Sequence, residues 1–300
     1  MSQDLQSRYR AWRLNPSKDL VLTRLLATRF SGILDRVPGA VAGYSSVRPL
    51  RRAWLDEPFL TARKGTGTGA VEQDFTSAEV FGGPLEAWSD GGDAFVARSY
   101  DVTGNGLHVT QETQGNQPRI VNAGVLDIGF VCNGQFPNLA LSAGNMPTNL
   151  FPTAGRQWTL IETSRIAAAT AAAGGYIAGV AAPGNPSPTS NGIITYGSSS
   201  ARRPRCFLRG TSTDNTIASL DRWNGTALRW DGSVAQIIVN GGSPVTQTVG
   251  TNAEATQPFF IGVFLVGVVG EVIVFDRALS NEEILTIQQN QAAYYGYTLP

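Results

Sequence analysis

The chain has 300 residues, 42% of them hydrophobic and only 15% charged, with 34 Gly and 16 Pro; this argues against an all-helical protein and suits many short strands joined by tight turns around one main core. Lys plus Arg and Asp plus Glu number 23 each, so no global field draws the chain to nucleic acid or an anionic membrane, and neither partner is expected. Cys132 and Cys206 are the only cysteines, too few and too far apart for a disulfide framework or a metal cluster, and both read as small buried apolar residues.

In chain order, the first predicted unit is an arm over residues 1–39. Its cations Arg8, Arg10, Arg13, Lys18, Arg24, Arg29 and Arg36 face only Asp4, Asp19 and Asp35, which makes it basic. Met1 to Arg10 is polar, without the apolar stretch of a secretory signal, and no later run is long enough for a membrane span. The expectation is a protein made and folded in a cytoplasm. Ser17 is placed to cap an amphipathic helix carrying Leu22, Leu25, Leu26, Phe30, Ile33 and Leu34, which Val37-Pro38-Gly39 ends. Its apolar stripe must cover either the following domain or another chain.

Residues 40–300 form the second predicted unit, in which short apolar or alternating runs are punctuated by Gly, Pro, Asn and Ser. Strands are predicted at Phe95 to Tyr100, Gln157 to Glu162, Tyr176 to Val180, Gly192 to Tyr196, Cys206 to Arg209, Ala227 to Trp230, Ala235 to Val239, Phe259 to Val263 and, most strongly, Val268 to Phe275. Asn240-Gly241-Gly242 signals a hairpin through its tolerance of positive φ. Ser280 with Glu283 forms a capping box that starts a C-terminal helix bearing Ile284, Leu285 and Ile287.

Two stretches carry a resemblance. Gly43-Tyr44-Ser45 with Val47-Arg48-Pro49-Leu50-Arg51, Glu72-Gln73-Asp74-Phe75, Phe95-Val96, Tyr100-Asp101, Gly104-Asn105-Gly106 and Gln117-Pro118-Arg119-Ile120-Val121 resemble, in order and spacing, the front of the catalytic domain of arabinofuranosidase B. Gly267 to Tyr297 resembles the closing strand and helix of laminin-G-like and concanavalin-like domains. Together they imply an all-β fold: a concanavalin-like jelly-roll β-sandwich with an N-terminal helical arm and a short C-terminal helix. Fold alone does not deliver function.

A retaining arabinofuranosidase-like hydrolase needs two carboxylates about 5 Å apart. Candidates are Glu162, Asp221, Asp231, Glu254, Glu271 and Asp276, but none sits in a segment resembling that family's nucleophile motif. Glu271 and Asp276 are expected to satisfy nearby backbone donors or Arg277, and no catalytic residue is assigned. Asp101, Thr103, Asn105, Gly106 and Glu112 have calcium-loop spacing but lie between strands, so a turn is expected and no metal or other cofactor. His108, the sole histidine, is expected to be partly buried and hydrogen-bonded, and Lys64-Gly-Thr-Gly-Thr-Gly69 to be a loop rather than a phosphate cradle. A glycan site would use an aromatic platform beside polar groups, with Tyr100, Asp101, Asn105, Trp223 and Asn224 as candidates.

A basic arm, a jelly-roll of this resemblance and no secretion signal together match the make-up of tailed-phage virion proteins such as tail fibres, receptor-binding proteins and head decorations. The resulting expectation is a non-catalytic, homo-oligomeric virion protein assembled in the host cytoplasm. Arg8, Tyr9, Trp12, Arg13 and Leu14 would attach it to other virion proteins, and the sandwich would bind host-surface polysaccharide. The alternatives are an arabinofuranosidase-like glycoside hydrolase and a purely structural capsid decoration.

Overall fold

The computed structural model of the chain describes residues 31–46, 48–134, 139–140, 156–167, 175–180, 191–196, 203–208, 211–214, 220–247 and 259–300. The strands are β1 (Ala40–Ser45), β2 (Pro58–Lys64), β3 (Val71–Thr76), β4 (Ala94–Ser99), β5 (Val109–Thr110), β6 (Arg119–Asn122), β7 (Val125–Asn133), β8 (Leu139–Ala140), β9 (Trp158–Ile166), β10 (Gly175–Val180), β11 (Asn191–Tyr196), β12 (Arg203–Leu208), β13 (Thr211–Asp214), β14 (Trp223–Trp230), β15 (Ala235–Val239), β16 (Val245–Gln247), β17 (Phe259–Val263) and β18 (Val266–Phe275). The helices are α1 (Ile33–Arg36), α2 (Ser77–Phe81), α3 (Pro84–Trp88) and α4 (Asn281–Tyr295).

The protein is an all-β sandwich in which the described strands pair antiparallel. One layer runs β16–β15–β14–β9–β18, and β18 then pairs with β7 along its first half and with β1 along its second. The other runs β3–β2–β4–β5–β8–β17–β10–β11–β12–β13. The pairing β4–β6–β7 joins the two layers at one side. Tyr44 of β1 stacks on Phe259 of β17 with ring centroids 5.9 Å apart, which fixes the inner face of the first layer.

Val269 to Phe275 are buried on both faces of β18, because the second layer covers one side and helices the other. This explains the uninterrupted apolar run of the sequence, where a half-exposed strand would alternate. β9 and β14 extend beyond the expected Gln157 to Glu162 and Ala227 to Trp230. Polar and small residues continue the ladder, with Thr163 opposite Gly225 and Ser164 opposite Asn224, and these hid the strand in the sequence.

α4 closes the outer face of β14, β15 and β18. Ser280 Oγ accepts from Glu283 N at 3.1 Å while Glu283 Oε2 accepts from Ser280 N at 2.8 Å, completing the predicted capping box. Gln288, fully buried on this helix, donates to Gly225 O at 3.0 Å and accepts from Gly241 N at 2.7 Å. Helix and sheet approach so closely that a Cβ at Gly270 would stand 2.5 Å from the Tyr295 ring. At the predicted hairpin, Asn240 and Gly241 have φ of 52° and 75°, as a turn matched to the strand twist requires. Of the predicted N-terminal helix, the described residues contain only α1, whose Ile33 and Leu34 are buried against the sandwich.

Candidate functional site

Tyr100, Asp101 and Asn105 lie in the turn between β4 and β5, where Asp101 organises the backbone. Its fully buried carboxylate accepts from Gly43 N at 3.0 Å, Thr103 N at 3.0 Å, Thr103 Oγ1 at 2.8 Å and Leu107 N at 3.3 Å. Asn105 Nδ2 donates to Val41 O at 2.9 Å, and Tyr44 OH donates to Leu107 O. A carboxylate with four donors and no exposed surface has no capacity left for a sugar hydroxyl or a calcium ion, so the structure gives Asp101 a structural role. His108 Nδ1 accepts from Asp101 N at 3.1 Å, and Tyr100 packs edge-on against His108 with centroids 4.8 Å apart.

Trp223 and Asn224 open β14 on the far side of the same layer. With β9 and β18 between β14 and β1, the two halves of the predicted glycan site are separated by about 14 Å at ordinary strand spacing, and the fold does not bring them together. Asn224 is buried, donating to Arg222 O at 3.0 Å and accepting from Asn240 Nδ2 at 3.2 Å. Trp223 is half-buried on the outer face, 4.5 Å from the Tyr295 ring. The proposed attachment residues Arg8, Tyr9, Trp12, Arg13 and Leu14 lie outside the described residues, as do the stripe positions Leu22 to Phe30 and Glu254.

The carboxylate candidates separate sharply. Asp231 is exposed and caps a turn, accepting from Ser233 N at 2.8 Å and Val234 N at 2.6 Å. Asp276 is exposed. Glu271 is fully buried but committed: it pairs bidentately with Arg48, with the second contact at 3.0 Å, and accepts from Gln291 Nε2 and Tyr295 OH at 3.3 Å each. For Glu271 the expectation of nearby backbone donors or Arg277 is corrected, since Arg48 is its partner, while Arg277 bonds Glu283 at 2.7 Å and holds that carboxyl down to about 2. The bulge at Gly270 turns Glu271 onto the outer face, toward segment 48–51 and α4.

Glu162 differs from all of these. It stands opposite Val272 on β18 and Thr226 on β14; Val272 in turn faces Tyr44, which places Glu162 on the inner face. It is fully buried, and neither oxygen has a hydrogen-bond partner. Burial pushes its pKa from 4.5 up to about 8, opposed by the nearby hydroxyls of Thr226 and Ser164, neither of which reaches hydrogen-bond geometry. The Thr226 hydroxyl is likewise unpartnered. Glu162, Ser164, Thr226 and Asn224, which stands opposite Ser164, thus line up on the inner face, with a carboxyl that burial keeps protonated at neutral pH. Glu162 was legible as a candidate in the sequence, whereas Ser164 and Thr226 were not; Ser164 carried only its alternate spacing from Glu162 along one strand, and Thr226 is brought opposite Glu162 by the register of β14 against β9.

The solved structure of a GH54 α-L-arabinofuranosidase soaked with a cyclic sulfate inhibitor matches 88% of this chain with a TM-score of 0.62 at 13% identity. An arabinofuranosidase complexed with arabinofuranosyl-α-1,2-xylobiose matches 89% with a TM-score of 0.55 at 14% identity. The chain spans 64% and 65% of the lengths of these two proteins, and at such identity the likeness establishes the fold. No protein-family model and no curated protein matches the chain. The expectation of a protein that binds without catalysing is thereby corrected: its structural neighbours are enzymes that cleave glycosidic bonds.

Proposed function

We propose that this protein is a glycoside hydrolase of arabinofuranosidase-like fold and that Glu162 is its proton donor. The observation that carries the reading is the Glu162 carboxyl, fully buried and without a hydrogen-bond partner on the inner face of the sandwich beside Ser164 and Thr226, where burial raises its pKa. Hydrolysis requires an acid to protonate the departing glycosidic oxygen, and burial is the ordinary means of keeping that acid protonated near neutrality. The second carboxylate is not Glu271, which faces away and is paired.

Because Glu162 has no exposed surface, the test uses a small aryl α-L-arabinofuranoside, alongside arabinoxylan. The intact chain releases the aryl alcohol, and Glu162→Gln lowers kcat by about 100-fold or more. Absence of turnover on both substrates, or equal turnover by Glu162→Gln, would sink the assignment.

A particle-attached setting for the same sandwich is supported by the basic sequence of residues 1–39 alone. It predicts that deleting residues 1–30, which spares the buried Ile33, Leu34 and Val37, abolishes co-sedimentation with a virion assembly while leaving the β circular-dichroism signal intact. Unchanged co-sedimentation of the truncated chain would contradict it.

A further inference from the structure

The outer face of the first layer carries a feature that hydrolysis at Glu162 does not use. Trp223, Arg165, Val268 and Val131 stand directly opposite one another across β14, β9, β18 and β7, forming a row perpendicular to the strands. Arg165 lies three residues after Glu162, so its side chain leaves the sheet on the opposite side. A cavity of about 310 Å³ opens over this row, floored by Val131, Val266 and Val268 and edged by Arg165 and Asp221. That volume lies at the lower end of small-ligand sites, roughly 300–1,000 Å³.

Both polar edges are held in place. The Arg165 guanidinium sits 5.8 Å from the centroid of the Trp223 ring, within cation–π range. Trp223 is itself clamped by Tyr295, which packs edge-on against Tyr294 at 5.0 Å. Arg165 makes no ion pair or hydrogen bond with any described residue, so its planar array of donors is available. Asp221 is fixed by its backbone, which adopts φ of 56° and donates to Ile166 O at 2.8 Å.

We infer that this cavity is a carbohydrate-binding site for a single neutral sugar ring, separate from the Glu162 centre. The valine floor meets the apolar face of the ring, Arg165 donates to one hydroxyl oxygen and Asp221 accepts from the neighbouring hydroxyl. The charges select a neutral ligand. A sugar carboxylate reaching Arg165 meets Asp221, and an amino sugar reaching Asp221 meets Arg165. The site does not depend on the hydrolase reading, and its ligand could be a substrate branch or a surface glycan.

The experiment is a titration of the full chain with L-arabinose, D-xylose and D-galactose, followed by tryptophan emission and by saturation-transfer NMR of the sugar protons. Saturable binding is expected for at least one sugar. Arg165→Ala and Asp221→Asn should each weaken it about tenfold or more, and Trp223→Phe should remove the emission change. Glu162→Gln should bind normally, so that failure of this site and failure of the hydrolase assignment are distinguishable. Absence of saturable binding by both methods, unchanged affinity in Arg165→Ala, or binding confined to D-glucuronate would overturn the inference.

Discussion

Glu162→Gln is expected to raise the stability of the protein at pH 8 by on the order of 4 kcal/mol while changing it little at pH 4.5. The sign follows from the direction of the shift. In the unfolded chain Glu162 titrates near 4.5, whereas burial holds it protonated to about 8 in the folded state. Below pH 4.5 both states carry the proton and burial exacts no electrostatic penalty. Between pH 4.5 and 8 the folded state binds more protons than the unfolded one, so stability falls as pH rises and levels off once the folded carboxyl has ionised. Glutamine occupies the same space without a titratable group, and the slope disappears. Urea unfolding at intervals from pH 4.5 to 8.5 measures this directly. A variant less stable than the parent at pH 8 would show that Glu162 is stabilised by partners that Gln lacks.

The second large effect is expected at Arg48. Arg48→Met should destabilise the protein by about 3–5 kcal/mol, because it leaves a carboxylate of zero exposure without its bidentate partner. Gln291 and Tyr295, each 3.3 Å from Glu271, supply hydrogen bonds but no charge. Adding Glu271→Gln to the same chain removes the stranded charge and should recover most of the loss, a coupling that a double-mutant cycle isolates. A loss below about 1 kcal/mol in the single variant, or no recovery in the double, would contradict this view of the pair. The magnitude matters for the fold because Arg48 belongs to segment 48–51, while Glu271 belongs to β18 and Tyr295 to α4. One ion pair therefore ties an early segment to the last strand and helix.

That ion pair also shows what the sequence disclosed. The stretches bearing the resemblance meet in space. Arg48 of the first pairs with Glu271 of the second, while Gly43, Tyr100-Asp101 and Gly104-Asn105-Gly106 converge on the turn that Asp101 organises. These motifs record a junction of the fold, and for that reason they revealed architecture. Asp101 read as a ligand because a short acidic turn has the same residue types whether its oxygens bind backbone or solute. Val268 to Phe275 was legible because a strand buried on both faces is apolar throughout, and α4 because Ser280 and Glu283 cap it locally. For Glu271 the sequence suggested nearby backbone donors or Arg277, all close along the chain, but its partner Arg48 is 223 residues away. Such pairings depend on register between distant strands, which local pattern does not encode. The same limit hid the inner row. Glu162 ends the strand expected over Gln157 to Glu162, whereas Thr226 precedes the one expected over Ala227 to Trp230, and only the register of β14 against β9 sets the two opposite each other.

The proposal stands or falls with the ionisation of one carboxyl. With glutamate labelled at the side-chain carbonyl carbon, NMR titration of the full chain, with Glu162→Gln identifying the resonance, reads that ionisation directly. A Glu162 midpoint near pH 8 is the expected result. A midpoint near 4.5 would mean that the group is charged at neutral pH, and Glu162 would then be unavailable as the proton donor.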